Sequence, residues 1–377
     1  MQVESKRIFS YIKRTFKSIF LGINVFMFML LLSSFLAWSI SPLRTTLFAY
    51  LGLGFPFILT GMVLLTVFWG VLLNWKMVLI NIVMMLVCYK PILVYVPLHF
   101  KTTTIPEGSL KVLSYNVRGF DWEMDKKWDD DRPIIDYIIS VDADIICMQE
   151  YMASTDDRYA SSKNLQKALK KYPYYSVTPL RSIKGGYEYG LACFSKYPIK
   201  TIFEIPVTSE TNGSALYKID VNGKVITVIN NHFESNRLTY EDKKMYKAFL
   251  KDQRGRGPNL NDVTLNIAQR LGTAYKRRAP QIDLVAKYIK EQKTDATVVC
   301  GDFNDTPISY SYNTISETLS DSYAETAFGP GITYNENLFL FRIDYIFHSK
   351  NMKAYNCTVD KVKYSDHYPV WTYLHLQ

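Results

Sequence analysis

The chain has 377 residues and a formal charge of +9, enough for one large domain or two ordinary ones. The charge is unevenly spread. The first hundred residues hold eight Lys/Arg against one acid, Glu4, a net of +7, which leaves about +2 for residues 101–377. The basic character belongs to the first hundred residues, which excludes reading it as a strongly basic soluble domain.

Three apolar stretches fill that first part. Phe20 to Ile40 runs 21 residues without a charge, and Leu47 to Leu73 runs 27 with Pro56 inside, an interruption that membrane helices tolerate. Met77 to Phe100 is broken by Lys90 and Pro91. A span needs roughly 20 apolar residues, so two or three transmembrane helices are expected. A cleaved signal peptide is the competing reading of the first stretch; its long apolar core and the two stretches after it favour an anchor. Lys6, Arg7, Lys13, Arg14 and Lys17 precede the first span and place the N-terminus in the cytoplasm. Three spans then put the rest of the chain outside, as a multi-pass protein of the cell membrane. If the third stretch only dips into the bilayer, the rest is cytoplasmic. Lys90 lies far enough along a continuous third helix to reach the opposite interface with its ammonium.

Residues 101–109, KTTTIPEGS, form a polar linker, and 110–377 is the expected catalytic domain. Strand-like runs follow: KVLSYNV, DIICMQ, YGLACFS, ALYKIDV, KVITVIN, ATVVCG, RIDYIFHS and YPVWTYL. Helical patterns stand at 132–140 and 161–171, and in APQIDLVAKYIKEQ, where Pro280 opens a helix with Ile282, Val285 and Ile289 on one face. Asn222-Gly223 between two strand patterns predicts a type I′ hairpin. Hairpins mixed with β-helix-β units imply mixed sheets with helices outside. Residues 237–278 carry eleven Lys/Arg and four acids. A helix is expected from the Thr239–Asp242 capping box onward, with Met245 and Phe249 paired at i,i+4. Arg254, Arg256, Lys276, Arg277 and Arg278 are its candidate phosphate contacts; a merely solvated helix and loop, or docking on anionic headgroups, are the alternatives. The five cysteines show no zinc spacing and are expected to be buried thiols.

Four blocks end strand-like runs with acids, amides and imidazoles: SYNVRGF, CMQEYM, VCGDFND and YSDHYPV. NNHFESN and FRIDYIF are weaker versions. Any one of them reads as a cap or turn; together they are improbable as capping. They supply Asn116, Glu150, His232, Asp302, Asn304, Asp344, Asp366 and His367. Such a set suits hydrolysis of a phosphoester with a hard divalent cation, which takes oxygen ligands. A carboxylate can activate water, and an imidazolium held by an acid can stabilise developing charge. Adjacent strand residues face opposite ways, so Asp366 and Asp344 are both open as the partner of His367.

These blocks resemble the endonuclease/exonuclease/phosphatase superfamily over roughly residues 109–377, in the family's order, on the branch of deoxyribonucleases and sphingomyelinases. The resemblance implies a four-layer α/β sandwich with two mixed sheets and the site at their edges. It implies Glu150 as principal metal ligand with Asn116 beside it, and Asp366 assisting the metal or His367. Asp302 would activate water, Asn304 position it, Asp344 support a histidine and His367 touch the scissile phosphate. His232 matches the strand-end histidine of that branch, with Glu188 as a candidate support. Arg118 stands where abasic-site endonucleases carry an acid, and with Arg278 is a candidate substrate contact. The implied cofactor is Mg2+, with Mn2+ as the alternative. The expected activity is a membrane-anchored, metal-dependent hydrolase of phosphodiesters or phosphomonoesters. Its partners are the lipid bilayer and a nucleic acid or phospholipid substrate, with no protein partner inferred. A catalytically inactive phosphate-, nucleic-acid- or lipid-binding module with the same fold is the alternative.

Overall fold

Six helices precede the first strand: α1 (Gln2–Ser34), α2 (Leu36–Ser39), α3 (Leu47–Leu53), α4 (Phe55–Val71), α5 (Trp75–Val87) and α6 (Tyr89–Tyr95). The structure, a computed structural model, describes residues 2–121, 132–183, 186–236, 260–336 and 339–377. The basic helix expected from Thr239, and Arg254 and Arg256 after it, lie outside those residues. Arg14–Ser39 is long and apolar enough to cross a membrane. The second and third stretches are bent pairs, α3 with α4 at 59° and α5 with α6 at 74°. The third, read as broken by Lys90 and Pro91, breaks at Cys88, two residues before Lys90.

Helices α1 and α4 run antiparallel, since Phe20 stacks on Phe68 near one end and Phe35 meets Phe55 near the other. A buried polar trio locks the bundle: Asn24 and Asn81 exchange hydrogen bonds of 2.7 and 3.1 Å, and Trp69 Nε1 donates to Asn24 Oδ1 at 3.1 Å. In an apolar surround such side-chain amides act as interhelical links.

The rest of the chain runs β1 (Leu110–Asn116), α7 (Pro133–Val141), β2 (Ile145–Ser154), α8 (Ser162–Ala168), β3 (Tyr174–Ile183), β4 (Tyr187–Ser195), β5 (Ile199–Ile205), β6 (Gly213–Val221) and β7 (Lys224–His232). It continues with α9 (Leu260–Glu291), β8 (Ala296–Asp302), α10 (Tyr310–Ser316), β9 (Leu319–Asp321), α11 (Ser322–Thr326), β10 (Tyr334–Glu336), β11 (Phe339–Phe341), β12 (Asp344–Ser349), β13 (Met352–Val359) and β14 (Val370–Leu376). Two six-stranded sheets result, ordered β13-β14-β1-β2-β4-β3 and β5-β6-β7-β8-β12-β9. Each has one parallel pair, β1 with β2 and β7 with β8; the sheets are mixed, as expected.

Alternation along the strands builds four layers. Val112, Cys147 and Cys193 of the first sheet meet Tyr217, Val228 and Cys300 of the second. On the outer face of the first sheet Leu113 and Ile146 pack on Ile135 and Ile138 of α7. On that of the second, Val299 and Phe347 pack on Ile282 and Val285 of α9. All five cysteines are buried free thiols. The β6–β7 hairpin turns through Asn222 (φ 55°) and Gly223 (φ 87°), the two positive φ values of the expected turn. Helix α9 differs from expectation. It starts at Leu260, so Pro280 lies inside it. Proline there removes one helix hydrogen bond; burial of Leu271, Tyr275 and Ala279 upstream, and of Ile282 and Val285 downstream, carries the helix through.

The helical bundle is seated on the second sheet's side of this sandwich. Trp38 Nε1 donates to Pro307 O at 2.9 Å, Tyr50 OH to Ala268 O of α9 at 2.6 Å, and His99 N to Ala327 O at 2.9 Å. Arg342, fully buried, pairs with Asp321 at 2.6 Å and donates from Nη2 to Val94 O of α6 at 2.5 Å.

Candidate active site

The parallel pairs end together, and their C-terminal ends form the site. Register sets its base: His232 lies beside Asp302 across β7–β8, and Asp344 lies opposite Asp302 across β8–β12. The first sheet brings Asn116 at the end of β1 and Glu150 from β2. Glu150 sits at φ 52°, where the β2–β4 register slips between Met148 and Tyr151. Such a bulge re-aims a side chain, and without it Glu150 would follow the strand's plain alternation. Beneath the site Gln149 Nε2 donates to Asn230 Oδ1 at 2.6 Å and ties the two sheets together.

The stretch VCGDFND joins the second sheet to the site. Gly301 is within β8 rather than at a turn. Its φ is 129°, and a Cβ there would run into the Asn231 carbonyl of β7; glycine permits this close strand approach. Phe303 points away and is fully buried among Phe233, Tyr345 and Phe347, a burial worth about 2–3 kcal/mol. Asp302 Oδ1 accepts from Asn304 N at 2.8 Å, and Asn304, at φ 52°, donates from Nδ2 to Phe233 O at 3.1 Å.

Asp302 Oδ2 is the hub. Asn116 Nδ2 donates to it at 3.1 Å, and the Nε2 atoms of His367 and His232 lie 3.6 and 3.7 Å away. Asn116 Nδ2 also reaches Glu150 Oε1 at 3.2 Å, and His232 Nε2 lies 3.6 Å from that oxygen. Arg118 N donates to Asn116 Oδ1 at 3.1 Å, which fixes the amide's orientation. Asn116 therefore turns its nitrogen, not its oxygen, toward the carboxylates. In this orientation it bridges Glu150 and Asp302.

The partner of His367 is Asp344, whose Oδ2 meets Nδ1 at 2.9 Å. Burial alone would push the imidazole down, but the Asp344 and Asp302 carboxylates outweigh it and hold His367 at about 10. It is an imidazolium near neutrality. His232 is its opposite: burial lowers it against the pull of Asp302, so its ring is neutral. Among the described residues neither of its ring nitrogens has a hydrogen-bond partner. Burial lifts Asp302 to about 6 and also raises Glu150. Asp366 faces Arg118, 3.9 Å from Oδ2 to Nη1. Among the described residues Asp302, Asp344 and His367 offer ligand atoms within 4.8 Å of one another, but one of the three is an imidazole nitrogen, softer than the oxygens a hard divalent cation takes. The hard oxygens of Glu150, with Asp366 acting on it electrostatically, fit a divalent cation better.

Two expected residues are elsewhere. Arg278 is buried, not presented to substrate: it donates to Glu234 O at 3.0 and 2.8 Å and to Asn236 Oδ1 at 2.7 Å, and pairs with Asp305 at 3.2 Å. Glu188 is exposed on β4; the acids that act on His232 are Asp302, Asp344 and Glu234. No motif marks Tyr334, whose backbone bridges to that of His367 and whose ring centroid lies 5.0 Å from the imidazole's.

The family model for the Endonuclease/Exonuclease/phosphatase family matches residues 113–367. The chain belongs to that family. Its members are hydrolases of phosphoester bonds, and the chain is one by descent. A second model, Domain of unknown function (DUF8431), matches residues 17–95. No curated protein matches the chain. Solved structures similar to it include an endonuclease/exonuclease/phosphatase from Beutenbergia cavernae, 18% identical over 71% of this chain and 72% of that one, TM-score 0.49. One from Bacteroides vulgatus is 19% identical over 72% and 100%, TM-score 0.46. The human Nocturnin catalytic domain is 14% identical over 74% and 98%, TM-score 0.49.

Proposed function

We propose that the chain is a membrane-anchored, divalent-metal-dependent phosphoesterase, with residues 1–100 as anchor, 101–109 as linker and 110–377 as catalytic domain. The observation that carries this reading is the convergence of Glu150, His232, Asp302 and His367 on one oxygen-lined space, with both imidazoles within 3.7 Å of Asp302 Oδ2. A divalent cation held by Glu150 with Asp366, Mg2+ or Mn2+, would polarise a phosphoryl oxygen and steady the leaving oxyanion. The chain's own residues do the rest. Asp302 takes a proton from water as the water oxygen bonds to phosphorus in line with the breaking P–O bond. Asn304, pinned by its bond to Phe233 O, orients that water. His367 keeps its proton and donates an Nε2–H hydrogen bond to a phosphoryl oxygen, and Asp344 holds the ring charged. Neutral His232 offers a nitrogen to the ester. Arg118 stands at the rim beside Asp366 and can meet an anionic substrate group.

The multi-pass, extracytoplasmic arrangement rests on the basic residues before the first apolar stretch together with the order of the helices. The basic N-terminal end lies with Phe68, and the end with Phe35 and Phe55 lies with the catalytic domain. A binding module without activity has little support, because it would have no use for two imidazoles of opposite charge state around one carboxylate. The test is turnover of bis(p-nitrophenyl) phosphate by the full chain in nanodiscs. Release with Mg2+ or Mn2+ that stops on chelation is expected; no release with either metal refutes the proposal. Reporters fused to the N-terminus and after Phe100 should fall on opposite sides of the membrane.

A further inference from the structure

The cleft above the hub is about 460 Å³, a size that takes a small-molecule ligand. Its floor is catalytic: Glu150, His232, Asp302, Asn304 and His367. Its opposite wall is not part of the sandwich. Tyr50, Leu53, Gly54 and Phe57 face the same cleft from the α3–α4 bend, joined by Ile267 and Leu271 of α9. That wall is built in, not incidental. Tyr50 bonds Ala268 O at 2.6 Å and meets Tyr275 edge-on at 5.8 Å, and a Cβ at Gly52 would collide with the Ile308 carbonyl. Phe57 is 74% exposed. From it the apolar surface runs on along α4 through the exposed Leu64, Val67 and Val71, the face a bilayer would cover. One wall of a polar, charge-rich site is thus the upper end of a hydrophobic helix. A nucleotide or free phosphate has no use for it, since neither carries a long apolar group.

We infer that the substrate is a phosphoester bearing a long hydrocarbon chain, and that the α3–α4 bend leads this chain out of the bilayer while the ester sits over Asp302. This rests on the phosphoesterase reading above and narrows its substrate class. A base-stacking platform for nucleic acid would place aromatic faces along an open groove; here Tyr50 and Phe57 share the wall with Leu53, Ile267 and Leu271, and the wall runs on into the exposed apolar face of α4.

The test uses the full chain in nanodiscs with Mg2+ and two esters that share a leaving group, ethyl and hexadecyl p-nitrophenyl phosphate. The expected kcat/KM favours the hexadecyl ester. Simple partitioning into the disc would give that preference too, so the deciding number is the hexadecyl-to-ethyl ratio in Leu53→Trp and Leu271→Trp, which fill the apolar wall. The ratio should fall at least about tenfold. An unchanged ratio, or a single-stranded oligonucleotide cleaved as well as the hexadecyl ester, overturns the inference and leaves the phosphoesterase reading intact. Hydrolysis of neither ester defeats the phosphoesterase reading and the inference with it. Should a tryptophan variant fail to fold, hexadecylphosphonate carrying a terminal diazirine decides the matter on the unmodified chain. Its label is expected on residues 47–71 and 267–275; labelling elsewhere overturns the inference.

Discussion

Replacing Asp344 with asparagine removes one charge and little else. The amide oxygen can still accept from His367 Nδ1 across the 2.9 Å contact, so the ring keeps its place. What changes is the proton. His367 stands at about 10 against an ordinary 6.5, a stabilisation of the charged ring of about 5 kcal/mol at ~1.4 kcal/mol per tenfold. Burial works against that charge, and among the groups that favour it Asp344 comes first, ahead of Asp302. Its removal should therefore lower the imidazole by about two pH units or more. The sign follows from a raised cation: the stability it lends is whole below 6.5 and is lost as pH rises through about 10. If the imidazolium holds the phosphate, activity follows the same limb. The assay is the pH profile of kcat/KM on ethyl p-nitrophenyl phosphate at saturating Mg2+. The native chain should fall off near pH 10 and Asp344→Asn near about pH 8 or below, so that at about pH 9 protonation alone separates them about tenfold. An alkaline limb that stays put in the variant would refute the role given to the pair.

Three further outcomes are expected. Glu150→Gln should cut metal-dependent turnover by at least about a hundredfold with an unchanged melting temperature; undiminished turnover removes Glu150 from the reaction. On the acid side, activity should fall as Asp302 takes up its proton near 6, and raising Mg2+ should move that limb lower; a limb indifferent to metal argues against a cation beside Asp302. Gly301→Ala drives a methyl into the Asn231 carbonyl at a backbone angle that side chains avoid. It should cost roughly 3 kcal/mol or more, read by denaturant unfolding; a neutral effect means the strands can separate at no expense.

The eight strands legible as apolar runs are the interior of both sheets. β3, β5, β9 and β13, which were not read, are the four sheet edges. An edge strand has neighbours on one side only and is free to carry polar residues, as in β5, where Lys200, Thr201, Ile202, Phe203 and Glu204 are exposed; the alternation that marks a strand fades there. Site residues were readable because several blocks coincide. Their orientation was not: which way the Asn116 amide faces depends on Arg118 N, and the aim of Glu150 depends on a bulge, neither of which composition encodes. Arg278 misled because a basic run looks like a phosphate contact whether its guanidinium faces solvent or a buried carbonyl. The Pro280 boundary failed for a related reason, tertiary burial overriding a local stop signal. The cleft's apolar wall joins the α3–α4 bend to Ile267 and Leu271 of α9, a proximity that no sequence spacing reveals.

Arg342 sets a limit on dissecting this enzyme. Its guanidinium is sunk among Tyr312, Tyr323 and Tyr345, and one of its amino groups is capped by the carbonyl of Val94. Severing the polypeptide after the hydrophobic segment would strip that cap and uncover Ile308, which is buried with Phe55 and Tyr95. A water-soluble fragment made that way would hold an uncapped cation in its interior and a bare greasy seat outside. The two halves are better regarded as a single cooperative body, to be extracted and handled whole.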